Sequence, residues 1–372
     1  MAQKTVSQER MYHLCFVDSM RTWGGAEVWL LETALALQAR GLRVSIIAQP
    51  GSELLRRARE AGVPADAVAI RFDGAPWTIA KLARRLRAAG VTAVLANLSK
   101  DLKAASVAAW LAGVPIVLGN WESDFPLKAK PYYRWYYANL ATGLVVASKA
   151  TRRTVLAGAP WLSPERVHLV PKGIDTERFH PGPAHADPPV VGFLGQFIVR
   201  KGLREIMAAW SALDAADHPR APRLVLAGAG PLRTEVEAWR EGLRHRERVT
   251  VAGFVESPET FLAGLDVLLM PSHAEGFGLA AAEALSCGVP VIAADASSLP
   301  EIVLDGRTGL LVPPRDAVAL AAALTRLLDD PDLARRLGAA GRERIVATFP
   351  RERTLEALLV LTGAHAAPRE PS

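Results

Sequence analysis

Short runs of Val, Leu, Ile and Ala alternate along the chain with longer stretches whose apolar positions recur at helical spacing. The first pattern suits strands buried on both faces and the second suits amphipathic helices. Their alternation predicts parallel sheets with crossover helices. In the first half, strands are predicted at Tyr12–Val17, Val44–Ala48, Ala93–Ala96, Ile116–Leu118, Gly143–Ala147 and Val167–Val170. A helix over Ala26–Arg40 lies between Gly24-Gly25 and Gly41. The rhythm restarts with strands at Val190–Leu194, Leu224–Ala227, Val249–Ala252, Val267–Met270, Val289–Ala293 and Gly309–Val312. Helices over Ala317–Asp329, Asp332–Thr348 and Arg353–Thr362 follow. Between the halves, His180–Pro189 carries four prolines and a glycine, the composition of an extended, semi-rigid connector. The expected fold class is α/β. Two doubly wound domains, 1–182 and 183–350, would face each other across a cleft, where ligands of such folds bind. Residues 351–372 would form a helix returning toward the first domain, then a polar tail.

At 372 residues the chain is too long for one ordinary core, which agrees with two domains. Its two cysteines, Cys15 and Cys287, lie far apart in a strand-like and a helix-like segment. A reducing cytoplasm therefore fits better than a disulfide framework. MAQKTVSQER lacks the apolar run of a signal peptide, and no window reaches the length of a membrane span. Charge is divided unevenly. Residues 1–180 hold 24 Lys and Arg against 14 Asp and Glu, and the remainder hold 20 against 24. An anionic membrane surface or a phosphorylated acceptor suits the basic first half, whereas no nucleic-acid recognition motif accompanies that charge.

The densest chemistry lies in Pro271–Pro290, PSHAEGFGLAAAEALSCGVP. Pro271 ends a strand, Gly276 and Gly278 permit close backbone approach, and a helix is predicted from Leu279 to the Gly288-Val289-Pro290 stop. Its free N–H groups would bind an anion, phosphate above all, with Glu275 before the helix and Glu283 inside it. Arg200-Lys201-Gly202 supplies two cations after the first strand of the second domain. These would neutralise a departing diphosphate, or else form a solvated pair before a helix. Gly24-Gly25 follows the first strand and opens a helix, which suits either a diphosphate or a plain tight turn. Gly228-Ala229-Gly230-Pro231 reads as a turn, and Asp330-Pro331-Asp332 as a helix cap. No His/Cys/Asp cluster has metal-binding spacing. Pro131–Tyr137, PYYRWYY, with Lys128 and Lys130 beside it, suits a membrane interface or an acceptor platform as well as plain packing. The helix Trp77–Ala89 carries a basic face.

These segments together resemble the retaining nucleotide-sugar glycosyltransferases of GT-B fold, the family 4-like bacterial lipopolysaccharide and exopolysaccharide type. The likeness runs from GGAEVWLLETALALQARGLRVSII through VPKGIDTERFHP, LGQFIVRKG, LVLAGAGPLR and VTVAGFVES. It is most specific at PSHAEGFGLAAAEALSCGVPVIA, where Glu275 and Glu283 form an E-x7-E pattern, and continues in PEIVLDGRTGLLVPPRD. The resemblance implies two Rossmann-like domains and a UDP-, GDP- or ADP-sugar donor, with no metal. Lys201 and Arg200 would hold the donor diphosphate, and Gly278 and Leu279 the phosphate nearer the sugar. Glu275 would meet sugar hydroxyls and stabilise developing positive charge, Glu283 would bind the ribose, and Gly276 and Phe277 would line the donor. Gly24 and Gly25 would let the first domain close over it. Gln196 stands where relatives often carry arginine, so Arg200 would replace that charge. Asn120, Glu122 or Asp124 would take over from a histidine absent near Trp121. The implied acceptor is a glycan or glycolipid assembled at the cytoplasmic membrane face, with peripheral contact through the basic first domain. A sugar-nucleotide epimerase and a non-catalytic nucleotide-sugar-binding subunit remain open as other readings.

Overall fold

A computed structural model describes residues 11–70, 75–122, 124–127, 131–183 and 187–364. They divide into two compact units. The first holds the residues up to Ala147, residues 152–170 and the chain from Leu355; the second holds 148–151 and 171–354. Seven parallel strands build the first unit: β1 (His13–Asp18), β2 (Arg43–Ala48), β3 (Ala65–Ala67), β4 (Ala93–Ala96), β5 (Ile116–Trp121), β6 (Gly143–Val146) and β7 (Val167–Leu169). Their order is β3-β2-β1-β4-β5-β6-β7. The direction of winding therefore reverses between β1 and β4, and the carboxyl ends of these two strands bound the crevice that such sheets use for ligands.

All six residues of β1 are buried, as expected of a strand covered by helices on both faces. Its one buried base, His13, is satisfied by the Ser45 hydroxyl at 2.9 Å and the Ala89 carbonyl at 3.0 Å. The strand runs to Asp18, one residue beyond the predicted apolar stretch, which places a carboxylate at the strand end. Two places along the sheet, β5 likewise continues through Asn120 and Trp121. The three-residue β3 has no apolar run to announce it; parallel pairing of Ala65–Ala67 with Ile46–Ala48 makes it a strand. In the aromatic segment, Tyr137 is buried against Tyr133 and Trp161, so packing explains that ring, while Trp135 stays exposed. Lys128 and Lys130 lie outside the described residues.

Six parallel strands build the second unit: β8 (Val190–Leu194), β9 (Arg223–Ala227), β10 (Val249–Gly253), β11 (Val267–Met270), β12 (Val291–Ala294) and β13 (Gly309–Val312), in the order β10-β9-β8-β11-β12-β13. Winding reverses between β8 and β11, and the loops after these strands carry Lys201 and Glu275. Phe193, Phe197, Trp210 and Leu324 are among the buried side chains of its core. The division between units falls at Val170–Pro171, ahead of the proline-rich connector. The reason is local. Ile174 pairs with Pro350, and the Phe179 carbonyl accepts the Ser286 hydroxyl at 2.6 Å, so residues 171–179 pack on the second unit. Asp330 caps the helix Pro331–Thr348 by accepting the Leu333 N–H at 2.8 Å. Within the first unit, the hydroxyls of Tyr12 and Thr362 lie 2.9 Å apart. Among the described residues no helix is long and apolar enough to cross a membrane.

Candidate functional site

The loops after β8 and β11 meet in the second unit. Pro271 stops β11 because it has no N–H to donate to the ladder. Gly278 precedes the helix Leu279–Ser286 with φ +105°, a conformation that side-chain-bearing residues rarely adopt. The turn leaves the first N–H groups of that helix without partners inside the helix. The buried Ser298 fixes the intervening segment, its hydroxyl lying 3.0 Å from the Glu275 carbonyl and 2.7 Å from that of Phe277. Ser297 adds a hydroxyl 2.6 Å from the same Glu275 carbonyl. Phe277 packs edge-on against Phe349 at 5.5 Å, so its ring anchors the loop.

Against this frame Lys201 Nζ donates to Glu275 Oε1 at 2.5 Å. The Arg200 guanidinium donates to the Ala274 carbonyl at 2.5 Å, while the Arg200 carbonyl accepts the His273 N–H at 2.8 Å. The ring of His273 in turn meets Glu205 Oε1 at 2.9 Å. Two cations, a carboxylate and a helix start are thus held together by backbone and side-chain bonds, an arrangement able to bind a diphosphate next to a polyhydroxylated group. Glu283 and Leu279 are half-buried on the helix, Gly276 is buried, and Gln196 is exposed in the loop after β8. Sequence reasoning missed the His273–Glu205 pair. Its signal is a histidine inside the glutamate motif and a glutamate four residues after Lys201.

The first unit gathers a second polar group. Asn97 Nδ2 donates to Asp18 Oδ2 at 2.6 Å, Asn120 Nδ2 donates to Asn97 Oδ1 at 2.9 Å, and the same amide donates to Glu122. These side chains stand in a row because β1, β4 and β5 are neighbours in the sheet. Asp101 accepts the Ser19 N–H at 3.0 Å, and Glu27 sits buried in the first turn of the helix Gly25–Ala39. Burial, with Asp18 nearby, pushes the Glu27 carboxyl up to about 7. Burial likewise pushes Asp101 up to about 7, and Asp18 is raised for the same reason. Of the sequence candidates, Asn120 and Glu122 join this row, and Asp124 lies half-buried in the loop after β5. Asp18, Asn97, Glu27 and Asp101 were missed, since single polar residues bordering apolar runs carry no motif. Gly24 is an extended residue before the helix, φ −154°, so glycine is not required there by backbone conformation. Among the described residues no group of three His, Cys, Asp or Glu side chains is arranged to hold a metal ion.

Residues 175–344 match the family Glycosyl transferases group 1, and residues 23–178 match Glycosyltransferase Family 4. The Anabaena protein Alr3699/HepE, solved in complex with UDP and glucose, superposes with a TM-score of 0.82 at 18% identity, covering 95% of this chain and 100% of that one. The fold is GT-B. Sucrose-phosphate synthase from Thermosynechococcus elongatus shares this GT-B architecture with a TM-score of 0.73 at 24% identity, over 94% of this chain and 98% of its own. Among curated proteins, alpha-maltose-1-phosphate synthase of Mycolicibacterium smegmatis is 34% identical over 249 residues, 58% of this chain and 62% of that protein. D-inositol 3-phosphate glycosyltransferase of Thermomonospora curvata is 34% identical over 243 residues, 59% of this chain and 56% of that protein. The chain thus spans less than two thirds of the curated relatives it matches, and these two are named for a sugar phosphate and an inositol phosphate rather than for lipopolysaccharide or exopolysaccharide.

Proposed function

We propose that this GT-B chain is a retaining glycosyltransferase that moves a sugar from a nucleoside-diphosphate sugar to a hydroxyl of a glycan or glycolipid. The observation that carries the reading is the convergence of Lys201, Arg200 and Glu275 at the start of the helix Leu279–Ser286. The match of both halves to glycosyltransferase families supports it. The UDP-glucose complex of the Anabaena fold neighbour agrees with a nucleotide-sugar donor.

In this mechanism Lys201, Arg200 and the helix N–H groups stabilise charge as the bond between the anomeric carbon and the diphosphate oxygen breaks. The acceptor hydroxyl attacks the same face of the sugar. Its oxygen forms the new glycosidic bond and its proton passes to the departing phosphate oxygen. Glu275 supports the cationic character of the reacting carbon, and Glu283 holds the ribose. Cations and helix dipole carry the phosphate charge without a metal. The enzyme works at the cytoplasmic membrane face, where the exposed Trp77 and the cations Lys81, Arg84 and Arg87 of the helix Pro76–Ala89 lean on anionic lipid in cell-envelope glycan assembly.

Incubation with UDP-, GDP- and ADP-sugars tests the reading. One donor should be consumed in a chelator-insensitive reaction, and NMR of the product should show the donor's anomeric configuration. An inverted product removes retention. An altered free sugar with no transfer makes the protein an epimerase, and binding without turnover makes it a binding subunit.

A further inference from the structure

Ser297 stands in a conformation that its residue type rarely adopts. Its φ is +57°, in the left-handed region where a side chain crowds the backbone and glycine is the usual occupant. Among the described residues three others with side chains have a positive φ, Asp217, Ala221 and Arg315. Ser297 differs from them in being bonded to the loop that carries Glu275. The turn around it follows β12 and is fixed on both sides. Before Ser297, the Asp295 N–H donates to the Val312 carbonyl at 2.7 Å. After it, the Leu299 N–H donates to the Ala296 carbonyl at 3.2 Å, Leu299 is fully buried, and Ser298 is bonded to the Glu275 and Phe277 carbonyls. Strain of this kind persists where the surroundings over-determine the backbone.

One hydroxyl then reaches both peptide groups of Glu275. Ser297 Oγ accepts the Glu275 N–H at 3.2 Å and donates to the Glu275 carbonyl at 2.6 Å. A hydroxyl has one donor and two acceptor lone pairs, so both bonds form at once. Each residue has only two soft backbone dihedrals, and holding the peptide planes on either side of a Cα fixes the direction in which its side chain leaves the chain. We infer that Ser297 is a positioning residue for Glu275, its hydroxyl clamping the two flanking peptide groups and so holding the carboxylate against Lys201 and toward the donor sugar. Glycine would relieve the backbone here, but it has no hydroxyl to offer. Misplacing a group at the reacting centre lowers the rate, whereas Lys201, Arg200 and the helix start still hold the diphosphate.

The role toward the donor rests on the glycosyltransferase reading, the grip on Glu275 does not, and two measurements separate them. Ser297→Gly removes the hydroxyl and relieves the backbone, while Ser297→Ala removes the hydroxyl and keeps the strain. With a donor found to be turned over, kcat should fall about tenfold in both variants. Affinity for the nucleoside diphosphate of that donor should change by less than about twofold, since the groups that hold it are untouched. Ser297→Gly should nevertheless melt above Ser297→Ala. Activity that follows stability instead, with Ser297→Gly turning over like the wild type, would overturn the positioning role, as would equal losses of kcat and diphosphate affinity. The second measurement is thermal unfolding of Lys201→Met in two backgrounds. Lys201→Met should lower the melting temperature less in Ser297→Gly than in the wild type, because the pair it breaks is already loosened. An equal drop in both would show that Ser297 does not hold Glu275 against Lys201. If no nucleotide sugar is turned over, the glycosyltransferase reading falls, and the unfolding comparison still decides the grip on Glu275.

Discussion

The ammonium of Lys201 lies 2.5 Å from a carboxylate oxygen of Glu275, with side chains 17% and 9% exposed. The two residues are 74 positions apart, one after β8 and one after β11, so the pair ties together the loops at the switch point of the second sheet. Each group supplies the other's main counter-charge in a largely desolvated place. Removing one partner leaves the other buried and uncompensated, which costs more than the intact pair contributes.

Lys201→Ala and Glu275→Ala should therefore each destabilise the second unit by about 2–3 kcal/mol, below the range for fully buried pairs because both groups retain some solvent. Each should also lower turnover by two or more orders of magnitude if the proposed donor chemistry is right. The double variant Lys201→Met/Glu275→Leu separates the effects. Thermal unfolding should show stability largely recovered, while turnover stays lost. Recovery of both would assign the pair a purely structural role.

Much of this architecture was legible in the sequence because buried parallel strands are written as apolar runs. The stretch Val190–Leu194 is predicted and found with the same ends, as are Val267–Met270 and Gly309–Val312. The loop after β11 was legible for another reason: one contiguous motif holds Pro271, Glu275, Gly278 and the helix. The first-unit row was not, because Asp18, Asn97 and Asn120 come from separate strand ends and meet only through the order β1-β4-β5. The strand β3 was hidden as well, since Ala65-Asp66-Ala67 becomes a strand by pairing with β2 rather than by its own composition.

Ser298 carries a prediction of its own. It is fully buried, and its hydroxyl sits between the carbonyls of Glu275 and Phe277. Ser298→Ala takes the donor from the Phe277 carbonyl, while the Glu275 carbonyl keeps the Ser297 hydroxyl, at a cost of about 1–3 kcal/mol. The loop that orients Glu275 should loosen, lowering kcat about tenfold with a smaller change in donor KM. Ser298→Thr keeps the hydroxyl and should recover part of kcat if its extra methyl fits. Unchanged kinetics in Ser298→Ala would show that Ser297 alone holds the segment.

Glu27 makes stability depend on pH. Burial raises its carboxyl from the ordinary 4.5 to about 7, so between those values the folded chain binds more protons than the unfolded one. Stability contributed by this group is therefore full below about pH 4.5 and falls as pH rises toward 7. The loss is at most about 3 kcal/mol at pH 8. Glu27→Gln should raise the melting temperature of the first unit at pH 8 while changing it little at pH 5. Equal shifts at both values would mean that the carboxyl titrates normally.

The contact beneath the cation pair makes the sharpest structural prediction. Gly202 has φ +74°, and a Cβ at this position would lie 2.2 Å from the carbonyl oxygen of Pro271. The obstacle is backbone rather than a movable side chain, and the conformation itself disfavours a side-chain-bearing residue. Gly202→Ala must therefore separate the loops after β8 and β11, costing well over 1 kcal/mol and moving Lys201 away from Glu275. Thermal unfolding should report the first effect and a weakened affinity for the nucleotide-sugar donor the second. Gly242→Ala is the control, because Gly242 ends a helix at negative φ and its Cβ would meet nothing nearer than the Trp239 carbonyl at 3.4 Å. If the two variants melted and bound donor alike, the close approach of Gly202 to Pro271 would not be what sets the spacing of Lys201 and Glu275.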